Sequence, residues 1–212
     1  MAVTYRILSA LLVGYLFGSV PFGFLVGKFN GIDIRRHGSG NIGATNVTRV
    51  LSRGWGIACF LADFLKGLVP VLLITWWSSS HGQALEYAPI LAAFAAVAGH
   101  VLPVWLRFRG GKGMATSIGV VVALAPFCVL LSLVSWYLVF LFSRYVSLAS
   151  LVAAVVLPLC GLVHRQLRPG AVSVPTIVLL FVLSAVIIVT HRANIKRLLR
   201  GREHRFTRTS RR

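Results

Sequence analysis

Three polar segments interrupt an otherwise apolar chain, and their residue types suit one task, the holding of phosphate. They are "HGSGNIGATNVTRV" (residues 37–50), "GHVLPVWLRFRGGKGMAT" (99–116) and "HRANIKRLLRGRE" (191–203). Glycines let a backbone approach a phosphate closely, and successive N–H groups form anion-binding concavities. In the first segment the chain from Ala44 reads as a helix, which puts a positive helix end beside Gly40 and Gly43. That helix places Asn46, Arg49 and Arg53 on one face and Val47, Val50 and Leu51 on the other. In the second segment Arg109 and Lys112 flank two glycines, and in the third His191 and Asn194 share a face one turn apart. A solvated loop carrying topology-setting cations is the plainer alternative for each.

Two familiar phosphate motifs are excluded. Residues 38–43 fit G-x-G-x-x-G, but no strand precedes them and no strand–helix–strand unit surrounds them. "RGGKGMAT" fails as a P-loop because Gly113 stands where Ser or Thr is required. Asp63 and Lys66, at i and i+3 inside an apolar run, read as an ion pair that positions a helix, with a functional role as the rival. His100 reads as a packing histidine, and His81 and His164 as loop histidines. Cys59, Cys128 and Cys160 all lie in apolar runs without a C-x-x-C spacing, so they read as packing residues rather than disulfide or metal ligands.

The elements that must position these segments are membrane spans. Apolar residues make up 57% of the chain and charged residues 12%, about half the charged fraction of a soluble domain. The formal charge of +18, from 22 Lys and Arg against four acids, suits nucleic acid, anionic headgroups or a phosphorylated substrate; in a membrane protein the plainer reading is cytoplasmic loop charge and attraction to anionic headgroups. The first run begins after Arg6 like a signal peptide but continues to Phe29 without a cleavage site, so it reads as a retained span. Gly14/Gly18 and Gly23/Gly27 in it form G-x-x-x-G pairs, which predict close helix packing. Further spans are expected at residues 55–77, 87–106 and 172–190, with a long apolar region over 114–163.

Charge sets the sidedness. Lys and Arg crowd the loop after the first span, the loop after the third and the C-terminal tail, while "SSSHGQALE" has none. Placing all three basic segments in the cytoplasm requires an even number of crossings between residue 113 and the tail. Dividing the region 114–143 at Ala125–Pro126 supplies it, because proline breaks helices and about 30 residues exceed the roughly 20 of one span. The expected fold is therefore an all-α polytopic membrane protein of seven transmembrane helices, N-terminus outside and C-terminus cytoplasmic. Short interfacial helices and loops form its cytoplasm-facing site. Residues 1–206 would form one domain, and 207–212 a basic tail.

The three segments, in this order and together with "SRYVSLAS" (143–150), resemble the bacterial acyl-phosphate:glycerol-3-phosphate acyltransferase family over nearly the whole chain to Glu203. Ile42 stands where the family commonly has Pro, and Arg109 where it commonly has Lys. The resemblance implies transfer of a fatty acyl group from acyl phosphate to the 1-hydroxyl of glycerol 3-phosphate, at a bacterial plasma membrane, without metal or cofactor. It implies catalytic roles for Ser39, Lys112, His191 and Asn194. It also implies substrate or phosphate contacts for Gly40, Asn41, Gly43, Thr45, Asn46, Arg49, Gly111, Gly113 and Ser150. Either His191 or a substrate phosphate would take the hydroxyl proton, the substrate-assisted route being favoured. Expected partners are glycerol 3-phosphate, acyl phosphate and membrane lipid, with no nucleic acid. The rival classes are a transporter or channel for a phosphorylated metabolite and a non-enzymatic binder of anionic lipid. Few polar residues lead across the membrane, which weighs against transport.

Overall fold

The computed structural model describes residues 2–80 and 87–206, so His81, Glu86 and the basic tail 207–212 lie outside the described residues. The chain is an all-helical, multi-pass membrane protein, and it divides into two compact units, Met1–Pro126 and Phe127–Arg212.

In the first unit α1 (Ala2–Ser19) and α2 (Phe22–Phe29) take the place of the single first helix expected. The cause is Pro21, which has no N–H to donate and ends α1 just ahead of it. The Val20 carbonyl exposed by that break accepts a hydrogen bond from Lys66 Nζ at 2.7 Å. α3 (Ala44–Val50) is the short helix expected in the first polar segment. Arg53 does not share its face, contrary to expectation. The chain turns at Leu51–Ser52, and Arg53 opens α4 (Arg53–Ser80). α5 (Ala88–Val101) and α6 (Met114–Leu124) complete the unit.

Small residues set how closely these helices approach. A Cβ at Gly14 or Gly18 would run into the backbone of Ala92 or Ala96 on α5, so the first G-x-x-x-G pair is the α1–α5 seam. At Gly67 and Gly119 a Cβ would meet the carbonyls of Thr116 and Phe64, which makes the α4–α6 seam. A core of Ile34, Ile42, Val47, Cys59 and Leu106 joins the first polar segment to α4, with Val50 and Leu51 packed against it as expected.

In the second unit α7 (Pro126–Ser143) starts at the predicted break, with Ala125 alone separating it from α6. α8 (Val146–Leu167) packs on α9 (Val174–Thr190), closely enough that a Cβ at Gly161 would meet Leu180. α10 (Arg192–Leu199) follows α9 after a 58° bend at His191. All three cysteines are buried and free, in keeping with packing roles.

Five segments are long and apolar enough to cross a membrane: Thr4–Phe29, Arg53–Ser80, Ala88–Leu106, Pro126–Ser143 and Val146–Leu167. The bent pair Val174–Thr190 with Arg192–Leu199 reaches that length and hydropathy only when taken together, as a broken span or a re-entrant loop. The remaining expected crossing is α6, whose 11 residues extend only about 17 Å against a hydrocarbon core of about 30 Å.

Candidate active site

The first polar segment is organised around one amide. Asn46 is 2% exposed, and its Nδ2 donates to the carbonyls of Asn41 (2.8 Å), His37 (3.0 Å) and Ile34 (3.3 Å). Its Oδ1 accepts from the Ser39 N–H at 2.8 Å. The loop wraps so tightly that Gly38, at φ +59°, has Asn46 Oδ1 where a Cβ would go. Asn41 Oδ1 accepts the Gly43 N–H at 2.8 Å, a turn that delivers the chain to α3 with Gly43 as its N-cap. Ser39 and Arg49 are exposed, and Thr45 is half-buried. Asn46 and Arg49, expected on one face, are therefore divided between core and surface.

Upstream, Asp33 caps the turn Ile34–Arg36 and holds the Arg35 guanidinium through two bonds of 2.9 and 2.7 Å. That hydrogen bonding keeps the Asp33 carboxyl well below the usual carboxylate range. Asp33 and Arg35 thus stay an ion pair, with Arg36 and Arg109 adding positive charge nearby.

The second polar segment folds back over the C-terminal end of α5. Arg107 and Phe108 both adopt left-handed backbone conformations, at φ 52° and 60°, which is unusual for residues with side chains and reverses the chain. Gly110 N–H then donates to the Val101 carbonyl and Gly111 N–H to the His100 carbonyl, both at 3.1 Å. Side chains at these glycines would collide with the His100 carbonyl and the His100 ring. Gly113 caps α6, and Lys112 is half-buried between these glycines. Trp105 Nε1 donates to Ser19 Oγ at 2.9 Å, tying the segment to α1.

Between the two segments lies a cavity of about 460 Å³ lined by Asp33, Arg35, Arg36, Gly40, Ile42, Arg109 and Gly110. Of the expected site residues Gly40 lines it. Arg35 and Arg36 are additions: in the sequence they look like ordinary topology charges, and only the dibasic run directly before "HGSG" hints at more.

The third segment has its own centre in the second unit. Glu203 Oε1 accepts from Asn194 Nδ2 (2.7 Å) and Ser147 Oγ (3.0 Å), while Oε2 accepts from Arg197 Nε (2.7 Å). Burial pushes the Glu203 carboxyl up, but the bonds from Arg197, Asn194 and Ser147 outweigh it and hold it below its ordinary range. His191 Nδ1 lies 2.8 Å from the Ile187 carbonyl. A carbonyl only accepts, so Nδ1 carries the proton, and in the neutral ring Nε2 carries the lone pair. Ser150 is buried and accepts from Trp136 Nε1 at 3.2 Å.

The chain matches known proteins over nearly its full length. The family model described as glycerol-3-phosphate acyltransferase matches residues 8–201. The glycerol-3-phosphate acyltransferase of Aquifex aeolicus is 42% identical over 201 residues, covering 95% of this chain and 100% of that protein. That of Trichlorobacter lovleyi is 45% identical over 192 residues, covering 91% and 93%. Crystal structures of PlsY (YgiH), an integral membrane glycerol 3-phosphate acyltransferase, superpose with a TM-score of 0.85 for the glycerol 3-phosphate form and 0.83 for the lysophosphatidic acid form. Both are 42% identical to this chain; the first match covers 95% of this chain and 96% of that one, the second 95% of each.

Proposed function

The chain belongs to the glycerol-3-phosphate acyltransferase family, and we propose that it transfers a fatty acyl group from acyl phosphate to the 1-hydroxyl of glycerol 3-phosphate. The hydroxyl oxygen attacks the acyl carbon, the carbon–oxygen bond to phosphate breaks, and 1-acylglycerol 3-phosphate (lysophosphatidate) and inorganic phosphate result. This is the first acylation of phospholipid synthesis.

The observation that carries the reading is the cavity whose wall joins Arg35, Arg36 and Arg109 to the backbone of Gly40 and Gly110. Guanidinium groups and close glycine backbone are what an anionic phosphate requires. Acyl phosphate is already activated, so the protein has mainly to position two anions and stabilise charge on the departing phosphate. Ser39, Arg49 and Lys112 act on phosphate from the rim, with Gly111 and Gly113 giving Lys112 its approach. Asn46 and Asn41 shape the loop that Ser39 and Thr45 present. His191 and Asn194 hold glycerol 3-phosphate, with Ser150 as a further phosphate contact. The hydroxyl proton passes to an oxygen of the departing phosphate, so no protein base is required.

The membrane arrangement belongs to the same reading. The helix break at Pro126 and the three Arg- and Lys-rich segments support seven crossings, N-terminus outside and C-terminus inside. α6 then counts as a short crossing sheltered by α4, and residues 1–206 act as one catalytic domain in a bacterial plasma membrane, with the site facing the cytoplasm. Purified protein given glycerol 3-phosphate and acyl phosphate is expected to form lysophosphatidate and phosphate one to one. Equal turnover with acyl coenzyme A, or none with acyl phosphate, refutes the donor assignment.

A further inference from the structure

The polar cluster buried between α4, α5 and α6 lies outside the cavity wall and the assigned substrate contacts, yet it lies directly beneath the glycine loop 110–113. His100, in the last turn of α5, is 4% exposed. Its Nδ1 is 3.1 Å from Thr116 Oγ1 on α6 and 3.7 Å from Asp63 Oδ1 on α4. Asp63 Oδ1 in turn lies 2.8 Å from Lys66 Nζ, and Lys66 reaches the Val20 carbonyl at the α1–α2 break. On the other side, the His100 carbonyl accepts the Gly111 N–H, and a Cβ at Gly111 would land on ring atom Nε2. The imidazole is thus held from beneath by the Thr116 hydroxyl, with the Asp63 carboxylate 3.7 Å from the same ring nitrogen, and the glycine loop rests on it.

The Asp63–Lys66 pair lies within α4, and a buried ion pair is costly in a membrane, where apolar side chains would pack as well. Its use makes sense if direction matters. Hydrogen-bonding groups fix a ring's orientation, whereas apolar contacts let it slide. The object so fixed is the loop that carries Arg109, Gly110 and Lys112.

We propose that His100 is a positioning residue, oriented by Asp63 and Thr116, which sets the height of the loop 110–113 and so the reach of Lys112 and Arg109 toward acyl phosphate. The role of the Asp63–Lys66 pair is then to serve that loop through His100 as well as to place α4. The proposal rests on the reading that this loop takes the donor's phosphate.

The test is a kinetic series on purified protein, with the melting temperature recorded for each variant. Thr116→Val keeps the side-chain shape and removes the hydroxyl. It should raise KM for acyl phosphate about fivefold, the worth of one neutral hydrogen bond, with kcat within about twofold. His100→Leu should raise KM further, and His100→Asn, which keeps a polar atom near the Nδ1 position, should recover part of the loss. If His100→Leu does not fold, Thr116→Val and His100→Asn still decide. An unchanged KM in these variants, or activity lost only in step with the melting temperature, overturns the proposal. Normal wild-type turnover with a flat KM across the series refutes the positioning role alone, whereas absence of lysophosphatidate from wild-type protein refutes the activity itself.

Discussion

Asn46 and Asn194 are the same residue type, are nearly equally buried, and stand in two polar segments of one family, yet they are held in opposite ways. Asn46 is 2% exposed and has only backbone partners among those described above: three carbonyls and the Ser39 N–H. Asn194 is 6% exposed and donates to the carboxylate of Glu203, which also binds Arg197 and Ser147. The first arrangement turns a neutral side chain into a template for a loop. The second makes a side chain depend on an ion. Neutral templates are insensitive to pH and salt and intolerant of any change of shape. Charge-assisted ones are stronger per bond and exposed to titration.

Breaking the template should have the largest effect. Asn46→Leu leaves four backbone partners to find new bonds, at about 1–3 kcal/mol for each group left buried and unpaired. Activity should fall more than about a hundredfold, about 2.7 kcal/mol, and the melting temperature should drop with it. Retention of normal turnover would refute the template.

Next come the residues assigned to the ligand itself. Arg49→Ala should lower turnover at low glycerol 3-phosphate, and Lys112→Ala turnover at low acyl phosphate, each about a hundredfold, one charge-assisted contact of about 1.5–3 kcal/mol. Here the melting temperature should hold, which separates contacting a substrate from shaping a loop. Arg200→Ala, at the exposed end of α10, should leave activity near normal. Near-normal rates in both site variants would reduce their charges to topology signals.

A smaller change is expected at the ionic brace. Glu203→Gln still accepts from Asn194 and Ser147 but loses the ion pair with Arg197, so activity should fall about tenfold, about 1.4 kcal/mol. A loss as large as that of Asn46→Leu would erase the contrast between the two asparagines.

The smallest effect sharpens the comparison through pH. The Glu203 carboxyl is held below its ordinary value of 4.5: burial raises it, but Arg197, Asn194 and Ser147 lower it by more. A depressed carboxylate contributes stability that is complete above the unfolded value and fades as pH falls through the folded one. Lowering pH from 6 to below about 4 should therefore reduce amide protection in α10, measured against the intrinsic exchange rate at each pH, while leaving that of the Asn46 loop unchanged. Equal loosening of both would show that the difference in charge has no consequence.

Much of this was legible in the sequence because it depends on local rules. Pro126 marks a helix start since proline has no N–H to give, and Gly14 and Gly18 mark a seam since they fall on one helix face. The family was legible because each polar segment is long and continuous. The residues that escaped are those whose meaning is tertiary. Arg35 and Arg36 acquire significance only when residues 109–110 close the cavity against them. That the Asn46 amide gathers backbone carbonyls 5 to 12 residues upstream could not be read from its place on a short helix. Arg53 was misplaced because the break at Leu51–Ser52 has neither glycine nor proline to announce it.

The brevity of α6 bears on how the protein is made. A helix of about 17 Å is too short to settle across a bilayer unaided. Its Thr116 hydroxyl and its glycine seam find partners on α5 and α4. Both of those helices precede it in the chain, so during synthesis from the N-terminus the surface that receives α6 exists before α6 emerges. The order of elements along the chain is thus also an order of assembly, in which α4 and α5 are made before the short helix that packs on them.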